Sequence, residues 1–309
     1  MSETAIYTEH LTRDFGAVRA VDDLCLKLPI GTVFGFLGLN GSGKTTTIRL
    51  LLGLLEPARG RAQVLGFDTQ TQADEIRVRC GALLEHAGLY ERLSAADNLE
   101  LYARIWHLPA GERKARIREL LTHLNLWERR KEKVANWSRG MKQKLAVARG
   151  LLHRPALIFL DEPTAGLDPV AAAALRDDLS ALARREGVTV FLTTHQLSEA
   201  EKLCTQVGVI RAGKLLAIGP PDLLRAQAGG HEAVITGRGF NSEIVAMLQQ
   251  QPDVAAATAQ EGQLVLKLKG PVEIAPLVSL LVNAGAQVEE VRKGKASLEE
   301  VFLALMEEM

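Results

Sequence analysis

Three groups of residues in this chain have the types and spacing to act on a phosphorylated ligand. The first is GLNGSGKTTT, Gly38 to Thr47, which fits the pattern G-x-x-x-x-G-K-[ST]. Gly38, Gly41 and Gly43 let the backbone turn its N–H groups inward around an anion, because only glycine takes the required torsions cheaply. Lys44 adds a point charge, and Thr45 offers a hydroxyl suited to Mg²⁺. The helix that must begin there points its positive end at the anion. The motif predicts phosphate binding and is silent about purpose, since kinases, switches, helicases and pumps share it.

The second group is LIFLDEP. Its apolar run ends at Asp161, which places a carboxylate at the tip of a buried strand beside the glycine loop, where a P-loop protein holds its Mg²⁺. Glu162 follows and points differently, so it is placed to accept a proton from an attacking water. A turn or helix cap ahead of Pro163 is the plainer reading, and the glycine loop weighs against it. The third group is NWSRGMKQKLAVARGLLHRP. Ser138 can cap a helix with an apolar stripe of Met141, Leu145, Ala148 and Leu152. The free N–H groups of Arg139, Gly140 and Met141 then make a second anion site. A capped amphipathic helix alone accounts for the helix but not for the glycine in its first turn.

The elements that must carry these groups read as an open α/β unit. Thr32 to Leu37 is an apolar run ahead of the glycine loop, and Ile48, Leu51, Leu52 and Leu55 share one helical face after it. Further buried strands are expected at Ala156–Leu160, Val188–Thr194 and Gln206–Gly213, alternating with helical segments, which implies a mixed or parallel sheet. Between residues 88 and 150 the pattern turns helical. Ser94 can cap AADNLELYARIW, Gly111 to Trp127 reads as a basic amphipathic helix, and RRKEK (Arg129–Lys133) as a solvated stretch. GPPDLL, Gly219 to Leu224, marks a change of character. Residues 1–220 are thus expected to form one domain and residues 221–309 another. The second runs β-α-β-β-α-β, a small α+β, ferredoxin-like order, with Leu264, Leu266 and Leu268 on one strand face. It ends in SLEEVFLALMEE, where Ser297 and Glu300 make a capping box ahead of a Leu298, Val301, Phe302 and Leu305 stripe. No catalytic constellation appears in it, so it reads as regulatory, dimerising or interacting.

The 309 residues are 47% hydrophobic and 24% charged, ordinary globular composition. The formal net charge of +0 gives no global basic field for nucleic acid, so no nucleic-acid partner is expected. Cys25, Cys80 and Cys204 are far apart without a C-x-x-C pair, which suits a reduced, cytosolic protein with neither a disulfide framework nor a zinc site. No run of 18 apolar residues occurs, so any membrane-spanning part is expected to come from another chain.

The order of motifs (glycine loop, helical insert, S-x-G at a helix start, LDEP, AGLDP, TTH) resembles the ATP-binding cassette (ABC) family over about residues 4 to 218. A base-reading NKxD motif is missing, and a kinase would leave the S-x-G helix and TTH unexplained. The resemblance implies an ATPase using ATP and Mg²⁺. It assigns Gly38, Asn40, Gly41, Ser42, Gly43, Lys44, Thr45 and Thr46 to the nucleotide, with Phe15 stacking on adenine. Thr45 and Asp161 would hold the metal, Glu162 would be the base and His195 the switch histidine. WSRGM, with Ser138 and Gly140, stands where the family signature is usually written LSGGQ, and Asp168 in AGLDP matches the D-loop. One departure is Glu85, which occupies the position of the family's Q-loop glutamine. It keeps an oxygen for the metal but brings charge and loses the amide donor. Leu89 to Tyr102 matches the groove for a membrane partner's coupling helix.

The resemblance further implies a homodimer clasping two ATP molecules and a polytopic membrane permease as partner. The expected place is peripheral, on the cytoplasmic face of the membrane. The C-terminal part is similar to the tails of antibiotic, lipid-linked polymer and sodium exporters, which favours export over import. A soluble ABC protein working on the ribosome is the rival reading. It is disfavoured because such chains generally carry two cassettes.

Overall fold

The computed structural model describes residues 3–227, 231–260, 262–270, 272–295 and 297–307. They fall into two compact units, Met1–Gly219 and Pro220–Met309. The first unit begins with β1 (Thr4–Phe15), β2 (Val18–Pro29), β3 (Val33–Leu37) and α1 (Lys44–Leu51). Next come β4 (Arg59–Val64), β5 (Phe67–Asp68), α2 (Ala73–Arg79) and β6 (Cys80–Leu83). Three helices follow, α3 (Ala95–Ile105), α4 (Ala110–His123) and α5 (Arg139–Leu151). The unit closes with β7 (Leu157–Asp161), α6 (Pro169–Glu186), β8 (Thr189–Thr194), α7 (Leu197–Leu203), β9 (Gln206–Arg211) and β10 (Lys214–Gly219).

Six strands make the sheet that carries the site, in the order β10-β9-β3-β8-β7-β6. All pairs are parallel except the antiparallel edge strand β10. Parallel strands covered on both faces read as unbroken apolar runs, and β7 and β8 are buried along their whole length. Phe191 on β8 locks the layer. Its ring lies 5.3, 5.5 and 5.6 Å from those of Phe34, Phe36 and Phe159, and each such pair adds about 1 kcal/mol beyond its area.

A second sheet, β2-β1-β4-β5, is antiparallel and was not expected from the sequence. Two expected helices are shorter than their apolar patterns. The helix after the glycine loop ends at Leu51, with Gly53 in the left-handed conformation (φ 64°) that terminates helices. Leu55 therefore packs on the core from a turn. The basic helix ends at His123 because Asn125 turns left-handed (φ 58°), and Trp127 sits in a separate 3-10 turn. Ser94 caps α3, accepting from the Asp97 N–H at 3.1 Å. Arg116 of α4 is buried and ties three elements together. Its guanidinium donates to both carboxylate oxygens of Glu186 on α6 (2.7 and 2.8 Å) and to the Leu151 carbonyl on α5 (2.6 Å).

The second unit comprises α8 (Pro221–Gln227), β11 (His231–Arg238), α9 (Ser242–Gln249), β12 (Val254–Gln260), β13 (Gln263–Leu268), α10 (Ala275–Asn283), β14 (Gln287–Lys295) and α11 (Leu298–Glu307). Its antiparallel sheet runs β12-β13-β11-β14, the ferredoxin-like order. Leu264, Leu266 and Leu268 face a core shared with Ile244 and Leu248 of α9 and Leu277 and Leu281 of α10. Ser297 and Glu300 form the reciprocal cap of α11, with bonds of 2.9 and 3.2 Å. Glu308, the last residue of the expected helical run, lies outside the described residues.

Candidate nucleotide site

β3, β8 and β7 are neighbours, and their C-terminal ends deliver the glycine loop, the Thr193–His195 segment and the Asp161–Glu162 pair to one edge of the sheet. Ligands of open α/β sheets bind at this edge. The glycine loop is held by close backbone packing. A Cβ at Gly43 (φ 105°) would lie 2.2 Å from the Ala20 carbonyl oxygen, and one at Gly38 only 2.5 Å from that of Ile210. The ladder of α1 starts with Thr47 N–H on the Gly43 carbonyl (2.9 Å), so the N–H groups of Lys44, Thr45 and Thr46 are left for an anion. An open cavity of about 180 Å³ lies there, bounded by the loop from Asn40 to Thr46, Ala20 and Glu162. Ser42 is buried instead beneath Gly38 and is not among the residues lining that cavity.

One connected set of bonds spans the three loops. Thr45 Oγ1 donates to Asp161 Oδ2 at 2.7 Å, and Thr193 Oγ1 donates to Asp161 Oδ1 at 2.6 Å. The same Thr193 oxygen accepts the Glu162 N–H at 3.0 Å. Glu162 is left-handed (φ 49°), a conformation costing a non-glycine residue about 1 kcal/mol. It turns the carboxylate into the cavity, with Oε2 2.8 Å from His195 Nδ1 and Oε1 3.2 Å from Lys44 Nζ. The Lys44 contact is an ion pair without hydrogen-bond geometry, so Oε1 is a buried oxygen with no hydrogen-bond donor. Lys44, itself buried, donates to the carbonyls of Gly38 (2.7 Å) and Leu39 (3.2 Å).

Hydroxyl and carboxylate oxygens are the hard donors that Mg²⁺ takes, and Mg²⁺ usually adds only one or two carboxylates to phosphates and water. Thr45 and Asp161, already in contact, fit that demand. Thr193 was not singled out from the sequence. It bridges two carboxylate-bearing residues, and its position two residues before His195 in TTH was the available sign. Ala20 was missed as well, because only the close approach to Gly43 reveals it.

The family model described as ABC transporter matches residues 21–165, and that of the DrrA1-3-like ATP-binding protein C-terminal domain matches residues 219–306. The daunorubicin resistance ATP-binding protein DrrA3 of Streptomyces coeruleorubidus is 38% identical, over 99% of this chain and 96% of its own. The bacitracin transport ATP-binding protein BcrA of Bacillus licheniformis is 35% identical, over 98% and 97%. A solved ATP-binding subunit of an ABC transporter is 32% identical and superposes with a TM-score of 0.65 over 73% of this chain and 94% of its own. This chain belongs to the ATP-binding proteins of the ABC transporter family. It binds and hydrolyses ATP as the energy-supplying subunit of such a transporter.

Within the ABC subunit the other expected residues are placed as follows. Ser138 is the N-cap of α5 and accepts the Met141 N–H at 3.3 Å, with Gly140 in the first turn. Asp168 caps α6, accepting from Val170 (3.0 Å) and Ala171 (2.9 Å). Among the described residues neither cap is bonded to the glycine loop of its own chain. Phe15 ends β1, 46% exposed, with the Arg13 guanidinium 4.8 Å above its ring. Among the described residues Glu85 is not bonded to Thr45 or Asp161. Its exposed carboxylate is paired with Arg49 of α1 at 3.1 Å. No helix among the described residues is long and apolar enough to cross a membrane.

Proposed function

We propose that this subunit drives export through a separate membrane permease, in the manner of drug- and antibiotic-resistance transporters, working as a head-to-tail pair with two ATP molecules between the copies. The observation that carries the site assignment is the continuous set Thr45–Asp161–Thr193–Glu162–His195 with Lys44 against Glu162. Ser138 and Gly140 head α5, whose N-terminus is not bonded to the glycine loop of its own chain among the described residues, so we assign them to the nucleotide of the other copy. The direction of transport rests on likeness across both units to proteins of daunorubicin resistance and bacitracin transport.

Chemistry in this site is positioning and charge neutralisation, as phosphoryl transfer requires. Lys44 and the free N–H groups of α1 take the β- and γ-phosphates. Thr45 and Asp161 would hold Mg²⁺, which when bound offsets charge on the phosphate oxygens. Glu162, oriented by its left-handed backbone and by His195, accepts a proton from the in-line water. His195, exposed on the rim, moves to the γ-phosphate as the copies close. Phe15 releases Arg13 and stacks on the base. Because each nucleotide takes donors from both copies, ATP favours the closed pair and hydrolysis releases it, which is the differential affinity a permease needs.

A groove of about 260 Å³ between α2, β6, α3 and α5, lined by Leu52, Leu54, Tyr102 and Trp106, takes the permease's cytoplasmic helix. On this reading the subunit works at the cytoplasmic face of the membrane. The test is to tag Glu162→Gln, extract membranes in mild detergent with ATP, and identify the material that comes down. A stoichiometric polytopic membrane protein is expected; ribosomal or other soluble partners alone would overturn the transport reading and leave the ATPase site standing.

A further inference from the structure

The sheet of the second unit ends in an open edge whose charges suit a copy of itself. Among the described residues β14 pairs with β11 on one side and with no strand on the other. Such an edge presents a row of unpaired N–H and C=O groups, a template for one more strand. Charges along an edge ordinarily keep copies apart, because like meets like. The order here does the opposite. β14 spans Gln287–Lys295, and its midpoint, Val291, has two acids immediately before it (Glu289, Glu290) and two bases immediately after it (Arg292, Lys293). When two such strands run antiparallel about Val291, each acidic position faces a basic one and Val291 faces its own copy. Glu290 and Arg292 already share one face of the strand. The Arg292 guanidinium donates to the Glu290 carboxylate at 2.8 Å, and the two side chains are 51% and 74% exposed for Glu290 and Arg292. A second copy would close them into a ring of four alternating charges, each flanked by two of opposite sign. Val291 is also exposed, as is Val282 on α10, the helix that packs on β14. β12, the opposite edge of the same sheet, has no charged residue and no such symmetry.

We propose that β14 is a docking edge for a second copy of this chain, joined antiparallel about Val291 into one continuous sheet. Backbone bonds between the two edges supply the affinity, as in other strand additions, and the paired charges supply the register. A slip of one residue would set Val291 against a charge. A slip of two would set Glu290 or Arg292 against its own copy, so a single register is favoured. The joint is short. Glu289 is the extra residue between the Thr236↔Glu290 and Gly237↔Val288 pairs, and a bulge bends its strand, so the new ladder centres on Glu290 to Arg292. The contact is therefore weak on its own and gains from a second one. On the reading of an ATP-clasped pair given above, it would keep the two copies together after hydrolysis parts the cassettes. That consequence rests on the clasped pair; the joint itself does not.

The test is disulfide trapping in the full chain without nucleotide, so that the ATP-clasped pair is not what is measured and the two readings can fail separately. Val291→Cys is made in a Cys25→Ser background, which removes the exposed native thiol; Cys80 and Cys204 are buried. Directly opposite Cα atoms of an antiparallel pair lie about 4.5–5.5 Å apart, within disulfide reach. Mild oxidation should give a covalent dimer linked 291 to 291, about tenfold or more faster than with Thr258→Cys on the β12 edge. Glu290→Arg or Arg292→Glu, each added to Val291→Cys, should slow trapping about tenfold, since both cross-strand pairs then oppose like charges. Mixing those two variants, one carrying a mass tag, should restore the parent rate in the mixed dimer alone, because every arginine again meets a glutamate. Exchanging both charges within one chain should restore it as well, which keeps the result readable if a single variant fails to fold. Trapping indifferent to the charge reversals, no recovery on mixing or on the double exchange, or a rate no faster than at residue 258 would overturn the proposal. A link from residue 291 to a different chain when whole membranes are oxidised would overturn it too, by giving the edge to another partner.

Discussion

Replacing Glu162 by glutamine separates two jobs that the structure gives one carboxylate. The substitution keeps the volume, the left-handed backbone and an amide oxygen in place of one carboxylate oxygen, so the fold should be retained. It removes the proton acceptor aimed into the cavity. General-base catalysis is worth about 10²–10⁴-fold, so kcat should fall by at least about a hundredfold, or roughly 2.7 kcal/mol of barrier. Nucleotide affinity should move the other way. In the free protein Lys44 Nζ lies 3.2 Å from Glu162 Oε1, and both groups are well shielded, at 6% and 22% exposed. A phosphate entering the cavity competes with that carboxylate for the ammonium and is repelled by it. Discounting for the partial exposure leaves about 1 kcal/mol, or roughly a fivefold tighter ATP complex. Steady-state phosphate release gives the first quantity, and equilibrium binding of a fluorescent ATP analogue gives the second. Normal turnover would refute the role of base. Weaker ATP binding with slow turnover would refute the competition between Glu162 and phosphate for Lys44, leaving the base in place.

Lys44→Ala deletes the cation itself and should weaken ATP binding about tenfold to a hundredfold in the same titration, as loss of a charge-assisted contact requires. Ser138→Arg should leave ATP binding by the single chain unchanged and abolish turnover at protein concentrations where the wild type dimerises; loss of the α5 cap should cost about 1 kcal/mol in urea unfolding. Arg116→Met leaves the Glu186 carboxylate without its bidentate partner and should destabilise the first unit by about 3 kcal/mol, read by the same unfolding curve. His153 stacks on Trp106 at 3.9 Å, and its Nε2–H donates to the Cys80 carbonyl at 3.2 Å, leaving a bare, buried Nδ1. Burial lowers its pKa to about 4, so between about 4 and its ordinary 6.5 the unfolded chain binds the proton that the native ring refuses. Stability present above pH 6.5 should therefore be lost as pH falls through that window, by at most about 1.4 kcal/mol per unit. His153→Phe, which keeps the stacking, should flatten that limb of the melting-temperature profile; an unchanged slope would refute the assignment.

What could be read from the sequence follows the physics of each element. Strands buried on both faces announce themselves as apolar runs, and β3, β7, β8 and β9 lie where those runs stand. β1 and β2 did not, because register shifts near His10, Leu11 and Arg13 break the period-two alternation on which a half-buried strand is recognised. β12, Val254 to Gln260, is implied by the β-α-β-β-α-β order, but its own residues do not mark its place. VAAATAQ is mostly alanine, which has little preference for a strand, and its place is fixed by pairing with Leu264 and Leu266. Spacing rules locate phosphate chemistry well because a glycine loop encodes backbone torsions locally. They cannot show partner choice between side chains on different loops. Glu85 illustrates this: its place in the motif order suggests a metal, yet its carboxylate meets Arg49, brought within 3.1 Å by the helix after the glycine loop.

Thr193 is the complementary case. A threonine in a buried strand is ordinarily half of a β-branched core, and only its place two residues before His195 in TTH hints otherwise. Its function comes from the register of two parallel strands, which sets Asp161 opposite Thr193. From there one hydroxyl donates to the carboxylate at 2.6 Å and accepts the backbone N–H of Glu162 at 3.0 Å. A hydroxyl is the only small side chain able to do both at once. It thereby fixes the Asp161 carboxylate against Thr45 and the left-handed turn that aims Glu162 with the same atom. The two carboxylates of the site are thus positioned jointly. A lost hydroxyl at residue 193 would disturb metal binding and water activation together rather than either alone.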